Sequence, residues 1–211
     1  MLVKVDARPI QPSDFMFIAG RYRIKPALPQ VAGMEGMGTV VAAGAEAHVA
    51  PGTRVAFRHP GTWAEFLSVP EECVYAVPAG ISAERAAQFA LNPVTAWALL
   101  DQLTVKPGHW IAINAATSSI AQIVYGLAKR RHIGMIGVVA RDRDITLPFP
   151  TVNANGSNVP DSVLRITGGE LLAGMLDSLG GRAIADFLPL LRQGATIVSF
   201  AVLMNVWVAN S

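Results

Sequence analysis

A single cysteine, Cys73, occurs among the 211 residues, which excludes a disulfide framework within the chain and any multi-cysteine zinc lobe. A reducing, cytoplasmic setting is therefore the expectation. Charge is scarce as well. Charged residues make up 15% of the chain and the formal net charge is +2, too little for the clustered Lys and Arg with which a nucleic-acid binder neutralises phosphates. The basic group Lys129-Arg130-Arg131-His132 stands where a helix would end, and cations there complement the macrodipole. No uninterrupted apolar run approaches the roughly 20 residues that cross a bilayer. The first residues, Met1-Leu2-Val3-Lys4-Val5-Asp6, lack the basic, apolar and small-residue regions of a signal peptide. The expectation is a soluble protein with neither nucleic acid nor membrane as a partner.

What is present falls into two patterns. From Met1 to about Pro78, short β-rich runs alternate with Gly and Pro: Leu2-Val3-Lys4-Val5, Gly38-Thr39-Val40-Val41, Arg54-Val55-Ala56-Phe57 and Ala64 to Val69. Such spacing predicts an all-β, barrel-like domain over 1–80. From Ser82 the period changes. Ser82 is a plausible N-cap for a helix, and Asn92-Pro93-Val94-Thr95 opens another with Pro93 in the first turn. After the turn Lys106-Pro107-Gly108 come a strand, Trp110 to Asn114, a helix from about Ser119 to Arg131, and a second strand, Met135 to Ala140. A strand-helix-strand unit of about 30 residues is the size of a right-handed parallel crossover, so 81–211 is expected to be a doubly wound α/β domain. Phe187 to Arg192 and Ala195 to Val202 read as a further helix and strand joined by Gln193-Gly194. Leu147 to Asp161, with three prolines and several Asn and Gly, reads as a loop.

The turn between the first strand and helix, Ala115-Ala116-Thr117-Ser118-Ser119-Ile120-Ala121, has no glycine. A phosphate site at a helix N-terminus needs free backbone N–H groups, a positive dipole end and close approach to the backbone. Ala and Ser are the next smallest residues after Gly, and the hydroxyls of Thr117, Ser118 and Ser119 could add donors. Taken alone, the turn fits a phosphate site or an ordinary connection. Its context favours the former: the second strand runs into Arg141-Asp142-Arg143 roughly 20 residues on, where an acidic residue would meet a ribose 2′-hydroxyl and arginines would meet a 2′-phosphate. This points to NADPH over NADH.

Pro12-Ser13-Asp14 with Gly20-Arg21-Tyr22, Pro29 to Gly38 (containing Gly33-Met34-Glu35-Gly36-Met37-Gly38), Gly61-Thr62-Trp63-Ala64-Glu65, Asn92-Pro93-Val94-Thr95-Ala96, Lys106-Pro107-Gly108 and Arg141-Asp142-Arg143 follow one another in this order. Together they resemble the medium-chain dehydrogenase/reductase superfamily, above all its zinc-free 2-enoyl thioester reductases, with quinone oxidoreductases next. The resemblance implies a GroES-like β domain followed by a Rossmann domain, with NADPH and a small-molecule substrate, an enoyl thioester or a quinone, in the cleft between them and a homodimer through the Rossmann domain. It implies Tyr22 as proton donor and Asn92 near the cofactor. It further assigns Thr117, Ser118, Ser119 and Ile120 to the pyrophosphate turn, Arg141, Asp142 and Arg143 to the 2′-phosphate site, and Phe200 to Leu203 to a cofactor-contacting strand end. Ser119 and Ala121 stand where glycine is common, and Gln11 where asparagine is.

The chemistry can be argued independently. Hydride addition to the β-carbon of an unsaturated carbonyl makes an enolate, which needs a donor at its oxygen or a proton at its α-carbon, and a tyrosine hydroxyl suits both. Zinc is disfavoured: Gln11 lies near one ligand position of the zinc-dependent relatives and Met34 replaces a second, a histidine, and neither residue can serve as a zinc ligand. His48, His59, His109 and His132 are scattered without ligand spacing. Cys73 reads as a small buried hydrophobe on a strand. The chain is shorter than the family's usual length, and the expectation is that it lacks the family's first β-domain strands, much of the helical material after Arg143 and the C-terminal return segment. Its mean hydropathy of +0.39 and its apolar end, Ala195 to Ala209, agree with missing sequence. The alternative of another class is therefore a truncated, catalytically inactive relative that at most binds nucleotide.

Overall fold

The computed structural model describes residues 1–140, 146–156 and 158–200, with backbone alone at 181–183. Two compact units divide the chain, Met1–Val94 and Thr95–Ser211.

The first unit is built on an antiparallel sheet of five strands in the order β4-β1-β2-β3-β5: β1 (Leu2–Ala7), β2 (Glu35–Ala42), β3 (Arg54–Arg58), β4 (Phe66–Ser68) and β5 (Val74–Ala76). Alternation along the strands sends Val3, Val5, Val40, Val55 and Phe57 into one core together with Val69, as a half-buried sheet requires. β1 crosses β2 so closely that a Cβ on Gly38 would lie 2.1 Å from the Lys4 carbonyl oxygen. Between β1 and β2 stands α1 (Pro12–Ile18), whose buried residues are Asp14 and Phe17. Cys73 is half-buried at the end of a 3-10 turn, Glu71–Cys73, rather than on a strand. The strand starts one residue later, and Cys73 packs at the margin of the valine core. The division between the units falls later than the change of period near Ser82. The helix α2 (Ala83–Ala86), with Ser82 as its N-cap, contributes Ala86 to a small core that also holds Ala87, Met37 and Ala56 of the first sheet.

The second unit has five parallel strands in the order β10-β9-β6-β7-β8. They are β6 (Trp110–Ile113), β7 (Gly134–Val139), β8 (Thr151–Asn153), β9 (Leu172–Asp177) and β10 (Leu191–Ser199). Helices α3 (Asn92–Gln102), α4 (Ser119–Arg130) and α5 (Val159–Thr167) accompany them. Period-2 alternation explains the layering. Ile111 and Ile113 face a core shared with Leu99, Leu100, Val124 and Ala128 of α3 and α4. Ala112 faces a second core with Val159 and Val163 of α5 and Phe187. With both faces covered, β9 is buried at all six positions, as parallel strands are. Strand order runs outward from β6 in both directions, so the topological switch lies between β6 and β9.

Two further expectations are overturned. Leu147 to Asp161 is not a loop: it holds β8 and the start of α5. Pro160 sits in the first turn of α5, where its missing N–H is no loss. Asn158 caps the helix, its Oδ1 accepting from the Asp161 N–H at 3.3 Å, and Val159, Val163 and Thr167 are buried at the spacing of one helix face. Nor do Gln193-Gly194 link a helix to a strand. Pro189 lies within a 3-10 segment, Gly181–Leu190, and β10 already starts at Leu191. Gln193-Gly194 fall inside β10 where its pairing with β9 shifts register between Leu191 and Thr196, and Gly194 takes φ +79°.

Candidate functional site

The expected phosphate turn closes at the C-terminal end of β6, beside the switch point. Ala115 has φ +48°, a left-handed conformation that glycine normally supplies. The following residue, Ala116, is buried and donates its N–H to the Val138 carbonyl at 3.3 Å. Space for it exists because position 137 is glycine: a Cβ there would lie 2.7 Å from the Ala116 Cβ and 2.6 Å from the Phe149 ring. Ser118 is the N-cap of α4, its Oγ accepting from the Ala121 N–H at 3.2 Å. The amides of Ser119 and Ile120, in the first turn of this 12-residue helix, have no intrahelical acceptor. The side chains of Thr117 and Ser119 are exposed, that of Ile120 half-buried. Small residues, free first-turn amides and the positive end of α4 form a cradle that fits a pyrophosphate.

Beneath the turn lies a polar cluster that sequence reasoning missed. Asn114, at the end of β6, donates through Nδ2 to Asp177 Oδ1 and accepts through Oδ1 from the Ser178 N–H at 2.7 Å and the Ser178 hydroxyl at 3.0 Å. Asp177 Oδ1 also accepts from the amides of Leu179 (3.1 Å) and Gly180 (3.0 Å), and Oδ2 from the Ser199 hydroxyl at 2.9 Å. Burial pushes the Asp177 carboxyl up, but these donors outweigh it and hold the group below its usual range. One carboxylate thus ties together the C-terminal ends of β6, β9 and β10. The available signal was a polar residue ending each of two apolar runs, Trp110 to Ile113 and Leu172 to Leu176.

Tyr22 and Asn92 belong to the first unit. Tyr22 is half-buried, and its N–H donates to the Met16 carbonyl at 3.1 Å. Asn92 is buried, its Nδ2 donating to Gln88 Oε1 at 3.2 Å. At the other end of α1, Gln11 Nε2 donates to Glu35 Oε1. Glu35 is 2% exposed, and desolvation by burial pushes its carboxyl up to about 7. Burial raises its neighbour Asp14 as well. Met34 is buried. Among the described residues no three His, Cys, Asp or Glu side chains gather as a metal site. Arg141, Asp142 and Arg143 lie outside the described residues, as do 201–203; Phe200 donates its N–H to the Asp177 carbonyl at 3.0 Å.

Residues 1–79 match the family of alcohol dehydrogenase GroES-like domains. Over 94% of its length the chain is 32% identical to the mitochondrial enoyl-[acyl-carrier-protein] reductase of Bos taurus, of which it covers 57%. Quinone oxidoreductase structures superimpose on it. That from Pseudomonas syringae pv. tomato does so with a TM-score of 0.81 at 27% identity, covering 95% of this chain and 64% of that one. That from Escherichia coli, complexed with NADPH, gives a TM-score of 0.82 at 25% identity, with the same two shares. Sequence and structure comparisons together support the likeness of the chain to the medium-chain dehydrogenase/reductase superfamily. The chain spans just over half the length of the curated relatives it matches.

In medium-chain dehydrogenase/reductase terms the first unit is the GroES-like domain and the second a Rossmann-type domain, as the sequence motifs imply. In the glycine-poor turn, the left-handed step that glycine usually provides is taken by Ala115. Among the described residues no helix is long and apolar enough to cross a membrane.

Proposed function

We propose that this chain is the core of an NADPH-dependent reductase of activated carbon–carbon double bonds, acting on a 2-enoyl thioester. The observation that carries the reading is the small-residue turn at the N-terminus of α4, set at the switch point of a parallel sheet. The relatives support the same reading by name: enoyl-[acyl-carrier-protein] reductases in the sequence comparison and an NADPH complex among the structures. The bound dinucleotide would supply the hydride that adds to the β-carbon.

This chain's residues do the rest. The Ser119 and Ile120 amides and the hydroxyls of Thr117 and Ser119 hold the pyrophosphate, with Ser118 keeping the helix end in place. Arg141 and Arg143, with Asp142 between them, recognise the 2′-phosphate. Asn92 stands beside the cofactor. Tyr22 donates a proton to the α-carbon or a hydrogen bond to the enolate oxygen. No zinc takes part, because Gln11 is committed to Glu35 and Met34 offers a thioether where a histidine would be needed. The second unit mediates homodimerisation, and the setting is cytoplasmic.

Fluorescence titration of the 211-residue chain with NADPH and NADH, followed by NADPH oxidation with a crotonyl thioester and with a quinone, tests this reading. Preferential NADPH binding and thioester turnover that collapses in Tyr22→Phe are expected. Equal affinity for NADH would remove the role of Arg141 and Arg143. Quinone turnover indifferent to Tyr22→Phe would establish the second reading, an NADPH:quinone oxidoreductase, which the quinone oxidoreductase neighbours favour. Absence of nucleotide binding would leave an inactive relative.

A further inference from the structure

The helix α1 is seven residues long, too short to hold its place by its own hydrogen bonds. Its orientation depends on what its two ends are tied to. At the C-terminal end, the Met16 carbonyl accepts from the N–H groups of both Arg21 (2.8 Å) and Tyr22 (3.1 Å), and the Gly20 N–H donates to the Phe17 carbonyl at 2.9 Å. The chain therefore folds back on α1 through Gly20, at φ +65°, and delivers Tyr22 against the helix end. At the N-terminal end stands Gln11. Its backbone N–H donates to Asp14 Oδ2 at 2.7 Å, the Asp14 N–H donates to the Gln11 carbonyl at 3.0 Å, and its side chain reaches across to Glu35 on β2.

We infer that Glu35 and Gln11 are positioning residues for Tyr22: their side-chain hydrogen bond fixes α1 to the first strand pair, and α1 fixes the Arg21-Tyr22 backbone through the Met16 carbonyl. The inference rests on the reading of Tyr22 as proton donor for its consequence in turnover, but not for its geometry. Glu35 suits the role because it opens β2, where it pairs with Arg58 on β3, so the sheet holds its backbone. Burial keeps water from competing for Oε1. Gln11 suits it because it belongs to the helix end and reaches the sheet at once. A proton donor held by a loop alone would sample orientations that waste the chemistry, and errors of an ångström cost large factors in rate.

Amide hydrogen exchange on the full chain separates this role from general support. Gln11→Asn keeps a good N-cap side chain but is one methylene too short to reach Glu35. Glu35→Leu removes the acceptor, and Glu35→Gln keeps one. In Gln11→Asn and Glu35→Leu, exchange at Ala19 to Tyr22 should rise about tenfold or more while that of the β2 and β3 amides stays within about twofold; Glu35→Gln should remain near the parent. In thioester turnover, the first two variants should lower kcat about tenfold with KM nearly unchanged. Exchange at Ala19 to Tyr22 that is unaltered in Gln11→Asn, or that rises equally across β2 and β3, would overturn the inference. If the parent chain shows the expected exchange pattern but no turnover, the positioning stands and the Tyr22 chemistry falls.

Discussion

Asp177 and Glu35 are both buried acids, at 1% and 2% exposure, yet their carboxyls are pushed in opposite directions from the usual range. Asp177, in the second unit, accepts from two side chains and two backbone amides and is held below the usual carboxylate range. Glu35, in the first, is opposed by burial and by the Asp14 carboxyl; the Gln11 side chain, the Leu91 backbone and the Arg58 charge favour its ionised form. Burial works against both charges. The number of donors decides which acid keeps its charge.

The largest effect is expected from breaking the better-satisfied side. Asp177→Ala would strand the Asn114 amide, two backbone N–H groups and the Ser199 hydroxyl, and should cost about 3–5 kcal/mol of stability in urea unfolding, with nucleotide binding lost. The parent carries a matching acid dependence. Because the folded-state pKa of Asp177 is lowered, its contribution is present above the unfolded value and disappears as pH falls through the folded one.

Glu35 has the opposite sign. Its folded-state value, about 7 against an ordinary 4.5, means that stability is fully present below the ordinary value and is lost as pH rises toward neutrality, by up to about 3 kcal/mol. Unfolding followed between pH 4.5 and 7.5 should show this decline in the parent, and Glu35→Gln should flatten it. A decline that survives in Glu35→Gln would assign the titration to Asp14, which burial also raises.

The same contrast between paired and unpaired groups recurs on a smaller scale at α4. Ser118→Ala removes the acceptor for the Ala121 N–H and should lower stability by about 1 kcal/mol, with NADPH affinity weakened several-fold in the same titration as above. The smallest change is Ala115→Gly. Relief of the left-handed strain is partly offset by the backbone entropy of glycine, so a gain of about 0.5 kcal/mol is expected by thermal unfolding. A loss there would mean that the Ala115 side chain is wanted in the turn.

Legibility in the sequence followed the range of the forces. The β6–α4–β7 crossover could be read because period, caps and small turn residues are all local. Pro160 misled because a proline reads as a breaker until its place in the first turn of α5 is known. Gln193-Gly194 misled because a register shift within a paired strand has the same composition as a connection. The motifs singled out Tyr22 and the small-residue turn, but not the long-range hydrogen bonds of their units: Gln11 and Glu35 are 24 positions apart, and Asn114 and Asp177 are 63.

By itself the sequence determined the two-part architecture, the parallel crossover and the small-residue turn that opens α4, since hydrophobic period and residue size act within a few residues of one another. Only the tertiary structure decided that Ala115 would take the left-handed step, and that Gly137 would make room for Ala116. It alone decided that one buried acid would be held below the usual carboxylate range and the other pushed above it. Those outcomes depend on which donors and which neighbouring atoms distant strands bring to the same place, and no local pattern encodes that.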